Sequence, residues 1–171
     1  LLVLFWIRNS YWMVQMKQPI LDVIILSAGK SSRMDGIDKQ LVKIRGKNVI
    51  NYSIELFSKL KETRSITLML SEKNVDEVKQ IIKTLGINKH IYTLIGGKLR
   101  QDTVRIALKN LSSIYTTNDL VAIHDGARPF VSKTIVLNGI KSAQASGAAI
   151  PIIPLSDTIK KVSNNLIIKT F

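Results

Sequence analysis

The 171-residue chain contains no cysteine, which removes disulfides, thiolate zinc sites and a cysteine nucleophile from consideration. The same absence fits a reducing, cytoplasmic location. Two histidines, His90 and His124, are too few for a histidine metal cage. No apolar run reaches the length of a membrane span: Leu1-Leu-Val-Leu-Phe-Trp-Ile7 stops at Arg8. That stretch does not read as a secretory signal either, since it lacks a basic start and an Ala-x-Ala-like site before Pro19. Aromatics make up only 6% of the residues, with no aromatic ladder and no arginine-rich run. This weighs against a single-strand nucleic-acid binder, although 25 Lys+Arg against 12 Asp+Glu give a net charge of +13. The cations are scattered over polar faces, as at Lys59, Lys73, Lys83, Lys109 and Lys141. They suit a solvated surface that attracts small anions. There is no internal repeat and no low-complexity linker.

What is present is one domain's worth of alternating strands and helices. The chain does not open on Met, whereas Met16-Lys-Gln-Pro19 directly precedes the first strand. Residues 1–15 are therefore expected to lie outside the fold, and residues 16–171 to form the domain. Apolar strands are expected over Asp22–Ser27, Ser65–Leu70, His90–Ile95 and Leu120–Ile123, with a short extended piece at Leu41–Ile44. Later strands are read at Ala148–Ile153 and Thr158–Val162. Between them lie helical stripes. Asn48 is expected to cap a helix carrying Ile50, Ile54 and Phe57 inward. Asn74, with Glu77 three residues on, has the look of a capping box before Val78, Ile81, Ile82 and Leu85, and Gly86 follows. Val104, Ala107, Leu108 and Leu111 form the third stripe, and Ser132 caps a fourth through Ile135, Ile140 and Ala143. Strands apolar on both faces, separated by helices, predict an α/β fold with a mostly parallel sheet and helices on both faces.

In such sheets ligands bind outside the carboxyl ends of the strands. Three polar loops follow strand ends here, at 28–40, 96–103 and 124–129. The first reads Ala28-Gly-Lys-Ser-Ser-Arg-Met34, with Lys39-Gln40 downstream. A small, polar loop carrying cations after an apolar strand is suited to phosphate, because backbone N–H groups and fixed charges converge on the anion. It is not a P-loop, since no Gly-Lys-Ser/Thr follows a second glycine. It is not a dinucleotide fingerprint either, since position 31 is Ser. The ligand expected is a nucleoside triphosphate.

Four motifs occur in order: Ala28–Met34 with Lys39-Gln40; Gly96-Gly97 with Arg100-Gln-Asp-Thr-Val104; His124-Asp-Gly-Ala-Arg-Pro129; and Asp157-Thr-Ile-Lys160. On these the sequence resembles the 2-C-methyl-D-erythritol 4-phosphate cytidylyltransferases over about residues 22–171. The ribitol-phosphate cytidylyltransferases share most of the motifs, and Asp157–Lys160 tips the balance toward the methylerythritol enzymes. The resemblance implies a Rossmann-like nucleotidyltransferase fold and transfer of a cytidylyl group from CTP to a sugar-alcohol phosphate. Mg²⁺ and a homodimer are implied with it, and neither nucleic acid nor membrane is an expected partner.

It also implies roles by position. Arg33 and Lys39 match the residues that stabilise the transition state. Ala28 and Gly29 leave room for the nucleotide and its triphosphate, Gly97 and Thr103 match contacts to the cytosine base, and Asp125 and Gly126 lie on the nucleotide side. Asp125 is the candidate metal ligand. Thr158, Lys160 and Arg128 fall on the side of the second substrate, where Arg128 either binds phosphate or locks its loop by pairing with Asp125. His124 is expected to be structural, because an anionic phosphate nucleophile needs no general base. Ser31 replaces a glycine usual in the family, and Leu26-Ser27 stands where Pro-Ala or Ala-Ala is common. The family's later Thr-Pro-Gln segment, a gripping arginine and a final lysine/aspartate region have no counterpart before Phe171. The domain is accordingly expected to be C-terminally truncated, binding nucleotide with little turnover. A non-catalytic nucleotide-binding remnant is the alternative to the enzyme.

Overall fold

The computed structural model describes residues 2–6, 19–29, 37–116, 120–154 and 156–170. Its centre is a six-stranded sheet. Four strands run parallel: β2 (Leu21–Ser27), β5 (Thr63–Leu70), β6 (His90–Ile95) and β7 (Leu120–Asp125). The sheet also holds β1 (Leu2–Trp6) and the two-residue β8 (Ala148–Ala149), in the order β6-β5-β2-β7-β1-β8. A small ribbon of β3 (Lys43–Ile44) and β4 (Lys47–Asn48) precedes α1 (Val49–Ser58). The other helices are α2 (Val75–Thr84), α3 (Arg100–Ile114) and α4 (Lys133–Ser146), and β9 (Lys160–Ser163) and β10 (Leu166–Thr170) form a separate hairpin.

The period of two in the strands decides which helix lies where. Val23 and Ile25, Ile66 and Leu68, and Leu120 and Ala122 point to one face, where Phe57 of α1, Val78 of α2 and Val136 and Ile140 of α4 pack on them. Ile24, Met69, Val121 and Ile123 point to the other face, covered by Ala107 and Leu111 of α3. Both faces are thereby buried, as the near-continuous apolar strands predict. No helix among the described residues is long and apolar enough to cross a membrane.

Three expectations are corrected. Residues 2–6 do not lie outside the fold: Leu2–Trp6 runs antiparallel between β7 and β8, with Leu4 fully buried. The rest of the stretch expected to lie outside, residues 1 and 7–15, falls outside the described residues. The strand expected over Ala148–Ile153 ends at Ala149. Pro151 and Pro154 supply no N–H to a ladder, so pairing cannot propagate through them. Neither Asn48 nor Asn74 caps its helix through its side chain. Asn48 Nδ2 donates to the carbonyl of Leu41 (3.1 Å), and Asn74 is committed elsewhere, as described below. Ser132 does cap α4, accepting from the N–H of Ile135 at 3.2 Å, and Gly147 closes that helix at φ 88°.

Candidate nucleotide-binding cleft

The strand order turns at β2: the chain builds outward through β5 and β6, then crosses back to place β7 on the other side. The carboxyl ends of β2 and β7 lie side by side there, and a crevice opens outside them. Ala28 and Gly29 follow β2, Gly96 and Gly97 follow β6, and Gly126–Arg128 follow Asp125 at the end of β7. These loops line one cavity of about 810 Å³ with Lys39, Gln40, Arg100 and Thr103. A second cavity of about 860 Å³ adjoins it and has largely apolar walls, including Val42, Val131 and Ile135. Lys39, Ala127 and Arg128 line both. An amine and a guanidinium thus stand at the junction of the two spaces.

The loop after β6 is held by Thr103. Its hydroxyl accepts from the N–H of Gly97 at 3.1 Å and donates to the carbonyl of Leu99 at 3.1 Å. Asp102 braces the same turn by accepting from the N–H of Leu99 at 3.4 Å. Thr103 is buried, so its hydroxyl shapes the loop from beneath.

Asp125 carries two arginines. Arg100 Nη1 lies 2.6 Å from one carboxylate oxygen, and Arg128 Nε lies 3.2 Å from the other. Burial works against the charge on this half-buried carboxyl, but donors on its oxygens, Arg100 among them, outweigh burial and lower its pKa below the ordinary value. Of the two roles open to Arg128, pairing with Asp125 is observed. Arg100 was not singled out in the sequence, although it stands in the quoted motif. Its significance comes from a contact across 25 positions, which no local pattern reports.

His124 sits below the cleft. It is buried, Nε2 lies 3.0 Å from Ser53 Oγ, and the ring meets Phe57 edge-on at 5.3 Å. Burial pushes its pKa down to about 4, so the ring is neutral at neutral pH.

Eight of the residues named from the sequence are brought together here: Ala28, Gly29, Lys39, Gly97, Thr103, Asp125 and Arg128 line the cleft, and Gly126 backs it. Thr158 and Lys160 are not among the residues lining either cavity; both are exposed, in and just before the hairpin. Arg33 lies outside the described residues. Among the described residues no group of three or more His, Asp or Glu could hold a metal ion, and Asp125 is the one carboxylate among those lining the cleft.

The family model described as 2-C-methyl-D-erythritol 4-phosphate cytidylyltransferase (IspD) matches residues 21–171. A protein of that name from Dehalococcoides mccartyi strain CBDB1 is 36% identical over 140 residues, covering 82% of this chain and 60% of the relative. One from Clostridium perfringens strain SM101 is 39% identical over 138 residues, covering 80% and 60%. This chain thus spans about three fifths of the length of these relatives. Among solved structures, 4-diphosphocytidyl-2C-methyl-D-erythritol synthase from Anaerococcus prevotii superposes with a TM-score of 0.75 at 22% identity. That superposition covers 90% of this chain and 65% of the other. The Francisella tularensis 2-C-methyl-D-erythritol 4-phosphate cytidylyltransferase gives a TM-score of 0.66 at 27% identity, covering 89% and 65%. β1 lies outside the matched residues, yet occupies an interior place in the sheet.

Proposed function

The chain belongs to the 2-C-methyl-D-erythritol 4-phosphate cytidylyltransferase family, and from that premise we propose that its cleft binds CTP and serves cytidylyl transfer to 2-C-methyl-D-erythritol 4-phosphate, in isoprenoid biosynthesis. The observation that carries this is the single cavity in which the loops after β2, β6 and β7 meet Lys39. In the reaction an oxygen of the acceptor's phosphate attacks the α-phosphorus of CTP. The new P–O bond forms as the bond from that phosphorus to the oxygen bridging to the β-phosphate breaks, and pyrophosphate leaves with the electron pair. No proton need be removed from the nucleophile, which leaves positioning and charge stabilisation as the protein's work.

Gly29 lets the triphosphate approach the backbone, and Lys39 and Arg33 offset charge growing on the transferring and leaving groups. The loop at Gly97, braced by Thr103, offers its backbone edge to a pyrimidine. Lys39 and Arg128, at the junction of the two cavities, suit the meeting of two phosphorylated substrates, with the acceptor entering from the second space. Thr158 and Lys160 would reach the acceptor only in an assembly or conformation that carries the hairpin to it.

Mg²⁺ fits the donor set. It is commonly held by one or two carboxylates plus substrate phosphates and water, and Asp125 supplies the single carboxylate. Bound there, it would neutralise phosphate charge. Arg100 and Arg128 hold the carboxyl ionised and are exposed enough to turn toward phosphate oxygens.

A homodimer belongs to the same proposal. The hairpin of β9 and β10 leaves Val162, Leu166 and Ile167 more than half exposed, and a lone two-stranded ribbon is marginal in water. A cytoplasmic location accords with the lack of cysteine.

The test combines calorimetry with a pyrophosphate-release assay in Mg²⁺, offering methylerythritol phosphate and ribitol 5-phosphate in parallel. CTP is expected to bind more tightly than ATP or GTP, and methylerythritol phosphate to be the acceptor consumed. Equal affinity for the three nucleotides would overturn the cytidylyl reading. CTP binding without product from either acceptor would leave a nucleotide-binding protein alone.

A further inference from the structure

Ser27, at the end of β2, and the turn at Asp38–Gln40 are held to one another by the same buried side chains. Asn74 stands at the start of α2 and is 1% exposed. A residue there ordinarily turns its side-chain oxygen onto the first helical N–H groups. Asn74 instead uses Oδ1 to accept from the N–H of Ser71 at 2.9 Å, and points its amide nitrogen away from the helix. Nδ2 donates to the carbonyl of Ser27 at 3.1 Å and to Asp38 Oδ2 at 2.6 Å. Ser27 is the last residue before Ala28-Gly29, and Asp38 directly precedes Lys39.

Gln40 completes the arrangement from the other side of Lys39. It is 5% exposed, and its amide, oriented by its neighbours so that nitrogen faces acceptors, donates to the Ser27 carbonyl and to Asp38 Oδ1, each at 2.9 Å. The backbone N–H of Gln40 reaches the same Oδ1 at 3.1 Å, and the Gln40 carbonyl accepts from Ile50 N–H at the start of α1 at 3.0 Å. One carboxylate therefore gathers two side-chain amides and a backbone N–H, and one carbonyl gathers both amides. Hydrogen bonds to a charged group are the stronger kind, and inside a protein they fix geometry closely.

We propose that Asn74, with Gln40, is a positioning residue for Lys39: it ties the outgoing and returning ends of the 28–40 loop together, and so sets where the lysine stands over the nucleotide's phosphates. This rests on the nucleotide reading of the cleft. The side chain of Asn74 is spent inside the network, and it acts only through the turn 38–40. Lys39 lies between the two gripped residues and lines both cavities, so a shift of this turn moves the amine relative to both.

Asn74→Asp tests the idea with little change of shape. It retains an acceptor for Ser71 N–H, but removes the donor and sets a second carboxylate against Asp38. Hydrogen–deuterium exchange at the amides of Gln40 and Leu41 is expected to quicken by about tenfold or more, the scale of losing a charge-assisted hydrogen bond, while α2 stays protected. CTP affinity is expected to fall several-fold and cytidine affinity to hold, because cytidine has no phosphates for Lys39 to meet. The exchanged pair Asn74→Asp with Asp38→Asn rebuilds the contact between 74 and 38 with donor and acceptor reversed, though not the bond to the Ser27 carbonyl, and should recover both readouts in part. If Asn74→Asp does not fold, Asn74→Ser, which keeps a short acceptor and no amide, takes its place. Unchanged exchange at residues 40 and 41, a parallel fall for CTP and cytidine, or no recovery in the exchanged pair would each overturn the proposal. A wild-type protein that binds CTP no better than cytidine would count against the nucleotide reading, while the exchange data would still judge the clamp.

Discussion

Gly96 stands where a side chain would collide with Ala28: a Cβ on Gly96 would lie 2.3 Å from the Cβ of Ala28 and about 3 Å from the side chain of Thr103. The loop after β6 and the loop after β2 thus touch backbone to side chain at the floor of the cleft. A Cβ built on Gly29 meets no atom of the described residues within 4 Å, so the same addition there meets open space among them.

Gly96→Ala is therefore expected to destabilise the fold by roughly 1–3 kcal/mol, the usual cost of overpacking a filled site. Gly29→Ala should leave stability within about 0.5 kcal/mol and still weaken CTP binding, because its cost falls on the approaching triphosphate. Urea melts with parallel calorimetry separate the two. A Gly29→Ala variant that binds CTP normally would remove Gly29 from the phosphate site.

The two loop cations should act on the chemical step. Lys39→Ala and Arg33→Ala are each expected to lower the turnover number by about 10²-fold or more while weakening CTP binding modestly, since their charges matter most as the transition state develops. Comparing kcat with KM in the pyrophosphate assay decides it, and an unchanged kcat in both variants would refute these roles.

His124 makes stability fall with acid. Its burial against Phe57 and Ser53 holds its pKa near 4, against about 6.5 for an exposed imidazole. As pH drops below 6.5 the unfolded chain takes up a proton that the folded chain refuses, so stability declines down to about pH 4 and levels off below it. The difference in pKa corresponds to roughly 3 kcal/mol. The lowered carboxyl of Asp125 loses its contribution only at lower pH, outside this window. His124→Gln should flatten the slope between pH 6.5 and 4.5. Denaturant melts across that range provide the check.

At the opposite end of the strands, the fully buried carboxylate of Asp22 is gripped by Arg64, through Nε at 3.0 Å and through Nη2, and accepts from Ser65 Oγ at 2.7 Å. Arg64 also lies over the ring of Tyr115 at 3.6 Å. Arg64→Ala leaves a buried charge without its counter-ion and should cost roughly 3–5 kcal/mol. Asp22→Asn should cost less, because the guanidinium is partly exposed and keeps its aromatic contact. Urea midpoints for the two variants test this order, and a larger loss for Asp22→Asn would contradict it.

If the hairpin is the dimer contact, its cross-strand pair Val162 and Ile167 is the place to break it. Ile167→Lys is expected to convert dimer to monomer in light scattering without changing the secondary structure. A dimer that survives the substitution, or a wild-type monomer, would exclude this contact.

The sequence by itself determined the central strands, the helices between them and the loops that meet at the cleft. Those are local signals: two-residue and 3.6-residue periods, glycines where backbones approach, and cations after strand ends. It also carried the family, because the motifs keep their order even though the loops that bear them are far apart in the chain. The partners were another matter. Leu2–Trp6 is a short apolar run with no pattern to say which strand it joins, and only the open flank of β7 selects it. The Asn74–Glu77 spacing reads as a capping box, but the N–H of Ser71 takes the amide oxygen in place of the helix N–H groups, while a carbonyl from β2 and the carboxylate of Asp38 take the amide nitrogen. Asp125 could be foreseen at the cleft, whereas its pairing with Arg100 follows from the end of β7 lying beside the start of α3. Strand and helix periods are set by neighbours along the chain. Which buried polar groups find one another is set by the packing of whole elements, and that was decided only by the tertiary structure.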